Sequence, residues 1–368
     1  MINNSLLSRP TWRCLILLAA VFVVPSAGAS EVELSRRVVV MGTVLEVEVS
    51  ARDRETAVAA SQAAIDAVEA VDRRLSTWSE ESELSRLNRA AVGEKVTISP
   101  ELEADLRDAR HWWSETGGRF DPGVASLVNA WDLRGRGRSP SPPELIVALS
   151  AAGIEHLLLG PGFAQRAVEG FGVEEGGFGK GVALREAARV ATETGASCAL
   201  IDLGGQLAMS GACGTREIGI AHPRQRDNVI ARLKLRSGSA ATSGNSERGF
   251  VVDGVDHGHL LDPTTGRPAS DWGAVTVVAS DPVAADCLAT ALFVMGPRRG
   301  AEWLQGRDGV EAVFAETNGE AMIITATPGF RGRLVVFEGT LRYLPPPGRF
   351  REAGAQEILE ISDSKTGS

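Results

Sequence analysis

The chain has 368 residues, 43% of them apolar, and a formal net charge of −9. It is long enough to bury a large core as one domain or two, and too acidic to clamp nucleic acid. Outside the first 29 residues only Cys198, Cys213 and Cys287 remain, with no C-x-x-C spacing. That set excludes a disulfide framework and a thiolate zinc site and allows at most one disulfide.

Residues 1–29 join a basic start (Arg9, Arg13) to an apolar run from Cys14 to Val24, then Pro25 and the triplet Ala27-Gly28-Ala29. This is the pattern of a secretory signal peptide cleaved before Ser30. The apolar run falls well short of the roughly 20 residues needed to span a bilayer, and no later stretch matches its length. The mature chain is therefore expected to be exported, to the periplasm in a bacterium, and not to span a membrane.

Residues 36–50 are rich in valine and alternate apolar with polar, which predicts a strand pair or one bent strand. The period then changes. Val58, Ile65, Val68, Val71 and Leu75 recur at three- and four-residue steps, predicting an amphipathic helix over 52–75. A second helix is expected from Pro100 to Glu115. The stretch DLRGRGRSPSPP, residues 132–143, breaks any period and reads as an exposed loop or inter-lobe linker with solvated arginines. A glycine-rich turn, GGFGKG, precedes a helix from Val182 to Thr192. Short apolar runs from Cys198 to Val278, punctuated by Gly, Pro, Asn and Asp, predict antiparallel strands, and a helix from Val283 to Met295 follows. Grouped rather than alternating elements point to an α+β fold with a mixed, largely antiparallel sheet and packed helices. The expected domain occupies residues 30–340, with a partly disordered extension over 341–368.

Several segments carry more Gly, Asp, Ser and Thr than packing requires, as functional loops do. They are Met41-Gly42-Thr43, Ser76–Asn88, Gly117–Trp131, Gly176–Gly181, Ile201–Gly205 and Thr242–Gly296. GGFGKG is not a Walker A loop, because Glu174 and Gly181 stand where Gly and Ser or Thr are needed. A G-x-G-x-x-G dinucleotide fingerprint between strand and helix is also absent. Asp286 and Thr290, four apart on a predicted helix, present a carboxylate and a hydroxyl on one face, a pair able to share a hard cation. The local alternative is a back-bonded threonine and an acid favouring the helix start. His259 lies three residues before Asp262 and suits proton removal near neutral pH; a histidine satisfied by sheet backbone is the alternative.

The order and identity of these segments from about Met41 to Gly296, above all HLLDPTTGRP followed by ADCLATALFVMG, resemble the FAD:protein FMN transferases of the ApbE family. The resemblance implies a two-lobed ApbE-like architecture. It also implies a magnesium site made by Asp286, Thr290 and the Gly179 carbonyl, and FAD contacts at Met41, Trp78, Arg119, Phe120, Asp121, Lys180, Val182 and Leu260. The implied reaction moves FMN from FAD onto a Thr or Ser of an acceptor flavoprotein, a subunit of a membrane redox complex, releasing AMP. His259 is the implied base and Asp286 the implied catalytic cation ligand. Four positions depart from the family pattern: Ser246 replaces a tyrosine, Gly123 a threonine, Gln206 an acid and Gly258 a serine. These departures keep two alternatives open, hydrolysis of FAD to FMN and AMP, and FAD binding without turnover.

Overall fold

The computed structural model describes residues 31–345 apart from 246–248, 253 and 320. The expected signal peptide and the tail after Arg349 lie outside the described residues. The valine-rich start folds as the strand pair, β1 (Val32–Val40) and β2 (Thr43–Ala51). Met41 and Gly42 join them in a two-residue turn with φ of 51° and 69°, the left-handed pair that suits the twist of a hairpin.

Seven further strands extend this hairpin into one sheet: β3 (Cys198–Leu203), β4 (Gln206–Gly211), β5 (Gly238–Gly244), β6 (Gly273–Ala279), β7 (Val310–Asn318), β8 (Ala321–Ala326) and β9 (Thr340–Tyr343). Spatial order equals chain order, and every neighbouring pair is antiparallel except β8 and β9. The sheet is thus mixed and largely antiparallel, as the grouping of elements predicts. β9 crosses the domain boundary expected at residue 340, and Leu344 beyond it is buried.

Successive residues of a strand point to opposite faces, and here the two faces carry different layers. One face holds α1 (Arg54–Leu75), α2 (Pro100–Glu115), α3 (Gly179–Glu193) and α4 (Pro282–Leu304). Val47, Val49, Ile65, Val68, Leu184 and Ile201 form its core over the first strands, and Val277, Leu288, Leu292 and Phe314 its core over β5–β7. The other face packs Met209, Val278, Val313 and Ile324 against Ile230, Leu233 and Phe330, under a small sheet of strands Arg216–His222, Gln225–Leu235 and Leu334–Val336.

Asp53 caps α1 by accepting from the Thr56 N–H at 2.8 Å. Its buried stripe starts on Ala57, Ala60 and Ala64 rather than on Val58, which is 45% exposed. Small side chains there let the helix lie close to its neighbours. α2 covers the expected span, with Ser99 as cap and Pro100 in the first turn. Asp281 caps α4, which passes the expected end at Met295 through a kink at Gly296 and restarts with Pro297. Loop 132–141 is at the surface, but two of its arginines are not merely solvated: Arg134 pairs with Glu174 at 2.6 Å and Arg138 with Glu144 at 2.9 Å. Among the described residues no helix is long and apolar enough to cross a membrane.

Cys198, at the start of β3, is bonded to Cys213 just past β4, a sequence separation of 15. Closing a loop of that size removes entropy from the unfolded chain, in one account about 3 kcal/mol. Cys213→Ser should lower the unfolding free energy by about that amount in a denaturant titration. Reductant should cost the wild type the same increment and leave the variant unchanged.

Candidate active site

One end of the sheet gathers several of the polar segments. The Met41-Gly42 turn lies beside the Gly204-Gly205 turn, whose Gly204 N–H donates to the Val44 carbonyl at 3.0 Å. The end of β5 lies at the same edge, with Gly244 opposite Ala274. Onto this edge the glycine-rich loop delivers the N-terminus of α3.

That helix start has no side-chain cap, since Phe178 stands at the cap position. Gly179 donates to the Glu175 carbonyl at 2.7 Å, and one further N–H of this first turn is met from α4: Gly181 donates to Asp286 Oδ2 at 2.8 Å. A Cβ at residue 181 would lie 2.6 Å from the Pro282 carbonyl oxygen and 3.0 Å from Asp286 Cβ, so only glycine permits the approach. Asp286 is 6% exposed. Burial pushes its carboxyl above the usual range, opposed by the Lys180 ammonium, the Gly181 N–H and the Gln206 amide. Asp202 at the end of β3 is likewise raised by burial, opposed by the Gly205 N–H at 2.7 Å and by Lys180. Lys180 therefore sits in the field of two carboxylates.

Thr290 follows Asp286 by one turn. A Cβ at Gly177 would lie 3.3 Å from Thr290 Oγ1 and 3.0 Å from the Phe120 ring, and one at Gly179 3.6 Å from Met41 Cε. Met41, Phe120, the 177–181 backbone, Asp286 and Thr290 thus converge. This donor set of one buried carboxylate, a hydroxyl and a glycine carbonyl is all oxygen and suits magnesium, which usually keeps waters and substrate phosphates among its ligands. Among the described residues there is no cluster of three or more His, Cys, Asp or Glu that could hold a metal ion.

Other segments connect to this centre through Phe120 and the residues just before the glycine-rich loop. Arg119 donates to Thr264 Oγ1 at 3.1 Å and lies 3.5 Å from Asp262, tying the loop before Phe120 to the DPTTG turn. His259 is half-buried between strands Val255–Gly258 and Leu261–Asp262, and Leu260 packs against the core beneath α4. Trp78 is 65% exposed and carries the Arg134 guanidinium 5.2 Å from its ring centre. Arg134 is held by the Thr77 carbonyl, the Thr77 hydroxyl and Glu174, while Thr77 also donates to Glu175. The tryptophan is thereby linked to the glycine-rich loop.

Two residues implied as FAD contacts have little surface to offer. Val182 is 0% exposed and Phe120 nearly so, both within the core. Asp121 is turned inward, accepting from the Gly123 N–H at 2.7 Å and the Ile154 N–H at 3.0 Å, the turn-forming role open to an Asp-Pro pair. Of the departures, Ser246 lies outside the described residues. Gly258 is filled by its neighbour: a Cβ there would lie 2.1 Å from Asn245 Cγ, whose two amide atoms are buried without partners. Arg134 carries no signal in the sequence, since its role comes from contacts across loops, whereas Asn245 lies in the Thr242–Gly296 segment. Asp202 and Gln206 do lie in or beside the IDLGG segment.

Burial raises the Asp121 carboxyl from 3.8 to about 6, with the Gly123 and Ile154 amides opposing. A raised acid binds its proton more tightly when folded, so its contribution to stability is full below 3.8, falls as pH rises, and is lost above about 6. Asp121→Asn keeps an acceptor for both amides but does not titrate. Melting temperatures measured across that window should fall more for the wild type than for Asp121→Asn.

Known proteins resemble the chain over most of its length. The chain is 31% identical over 327 residues to the FAD:protein FMN transferase of Treponema pallidum, covering 82% of this chain and 90% of that protein. It is 30% identical over 308 residues to the FAD:protein FMN transferase of Klebsiella pneumoniae, covering 80% and 87%. The crystal structure of the ApbE protein of Thermotoga maritima shares the fold with a TM-score of 0.72 at 28% identity, over 83% of this chain and 97% of that one. The sequence pattern of the ApbE family matches residues 41–314, and the chain belongs to that family.

Proposed function

We propose that this chain is an exported FAD:protein FMN transferase that moves FMN onto a Thr or Ser hydroxyl of an acceptor flavoprotein in a magnesium-dependent reaction. The observation that carries the reading is the meeting of Asp286 and Thr290 with the glycine-rich start of α3. The names of the relatives support the reaction class. The disulfide is of the kind that persists in oxidising compartments and supports export. The acceptor is expected to be a flavin-carrying subunit of a membrane redox complex facing the same compartment.

In this reading the acceptor oxygen attacks the FMN phosphorus, the bond from that phosphorus to the AMP oxygen breaks, and AMP leaves with the electron pair. His259 takes the hydroxyl proton. The Lys180 charge and the positive end of the α3 dipole favour the diphosphate. The glycine backbone at 177–181 lets the ligand approach closely, and Met41 and Trp78 offer apolar surface to its rings. A divalent cation held by Asp286, Thr290 and the Gly179 carbonyl would neutralise charge that builds on the phosphate oxygens.

The test incubates the mature protein with FAD, Mg²⁺ and a threonine-bearing acceptor domain, following acceptor mass and AMP. The acceptor should gain one FMN with one AMP released. Asp286→Ala should abolish both, and His259→Gln should slow transfer by about 10²–10⁴-fold. AMP with an unmodified acceptor would replace the reading with FAD hydrolysis. Bound FAD without AMP, with every acceptor tried, would make the protein a flavin carrier.

A further inference from the structure

Gln206 opens β4 directly after the Gly204-Gly205 turn and is 2% exposed. Its Nε2 donates to the Pro282 carbonyl oxygen at 3.4 Å, one turn before Asp286 on α4, and its amide is among the groups that oppose the rise of the Asp286 carboxyl. The Pro282 carbonyl fixes which way the amide points, because the flipped amide would set oxygen against oxygen. Oε1 is therefore the outer atom, and it is buried without a partner. A buried carbonyl oxygen with no donor weakens a fold, and this one stands beside the acid at the centre of the site.

The charges around it matter equally. Asp286 and Asp202 bring two carboxylates, both opposed by the one ammonium of Lys180, and Gln206 adds none. The protein side of the site keeps at most one net negative charge and has little Coulombic hold on a free divalent cation. A nucleotide diphosphate carries two negative charges and supplies the missing attraction.

We propose that Gln206 is a positioning residue that aims Asp286, offers Oε1 to water carried by the cation, and by its neutrality makes cation binding conditional on bound FAD. The proposal rests on the reading of Asp286 as a cation ligand. Cation and FAD then arrive as a unit, and the metal does not stay behind when FAD is absent.

Calorimetry tests this on the full mature protein, titrating Mg²⁺ with and without FAD, alongside flavin binding in EDTA and melting temperature. The wild type should give saturable heat only with FAD. Gln206→Glu places a second carboxylate beside Asp286 and should bind Mg²⁺ without FAD at least about tenfold more tightly than the wild type does. Gln206→Leu keeps the volume and removes both polar atoms. It should weaken Mg²⁺ binding in the FAD complex by about tenfold with FAD binding in EDTA unchanged, whereas a merely structural role would lower both. Wild-type protein that binds Mg²⁺ equally well with and without FAD overturns the proposal, as does a Gln206→Leu protein whose Mg²⁺ affinity is unaltered. If Asp286→Ala leaves the FAD-dependent heat intact, the ligand assignment itself fails, a separate outcome.

Discussion

The hydrogen bond from the Gly181 N–H to the buried Asp286 carboxylate joins the two helices from which the site is built. A charge-assisted bond of this kind contributes about 1.5–3 kcal/mol, but its larger effect is geometric. It forms only because residue 181 has no side chain to collide with the start of α4. With the helices in register, Lys180 is held beside Asp286 and Thr290 faces Gly177. The chemistry of the loop and the chemistry of α4 are not separate features that happen to be near each other.

The site also concentrates carboxylates that burial makes costly to ionise. Asp286, Asp202 and Glu174 are all raised by desolvation, and each is opposed by a cation or by amide donors. Lys180 serves the first two and Arg134 the third. An anionic ligand brought into such surroundings meets negative charge as well as positive, which is the electrostatic reason to expect a cation with it. Arg185 repeats the theme away from the centre, bridging Asp108 of α2 and Asp281 at the cap of α4.

Much of this was legible along the chain because it depends on local rules. The change of period after Ser50, the Ser99-Pro100 start and the apolar run of α4 each give the correct element. The Asp286–Thr290 pairing follows from helix geometry alone. What the sequence hides depends on partners far away in the chain. Val58 has the right spacing for the buried stripe of α1, yet the alanines take that place because α3 packs closely against them. Arg134 looks like one solvated arginine among three, until the fold brings Thr77 and Glu174 to it. Val182 directly follows the glycine-rich motif but faces the core, since a residue's direction on a helix is set by the neighbours that bury it.

The strand order has a consequence for how the chain assembles. From β3 onward each strand of the main sheet meets the one before it, with at most one small insertion or helix between them. β2 and β3 are the exception, separated by residues 54–197, which hold α1 to α3, shorter helices and a small three-stranded sheet. The hairpin made first during synthesis must wait for that segment before its open edge is paired, and closing so long a loop is an entropic barrier. α1 follows the hairpin immediately and packs on it, shielding its apolar face in the meantime. The seam between β2 and β3 is therefore the natural late step of folding, and the place where a partly made chain is most exposed to wrong pairing.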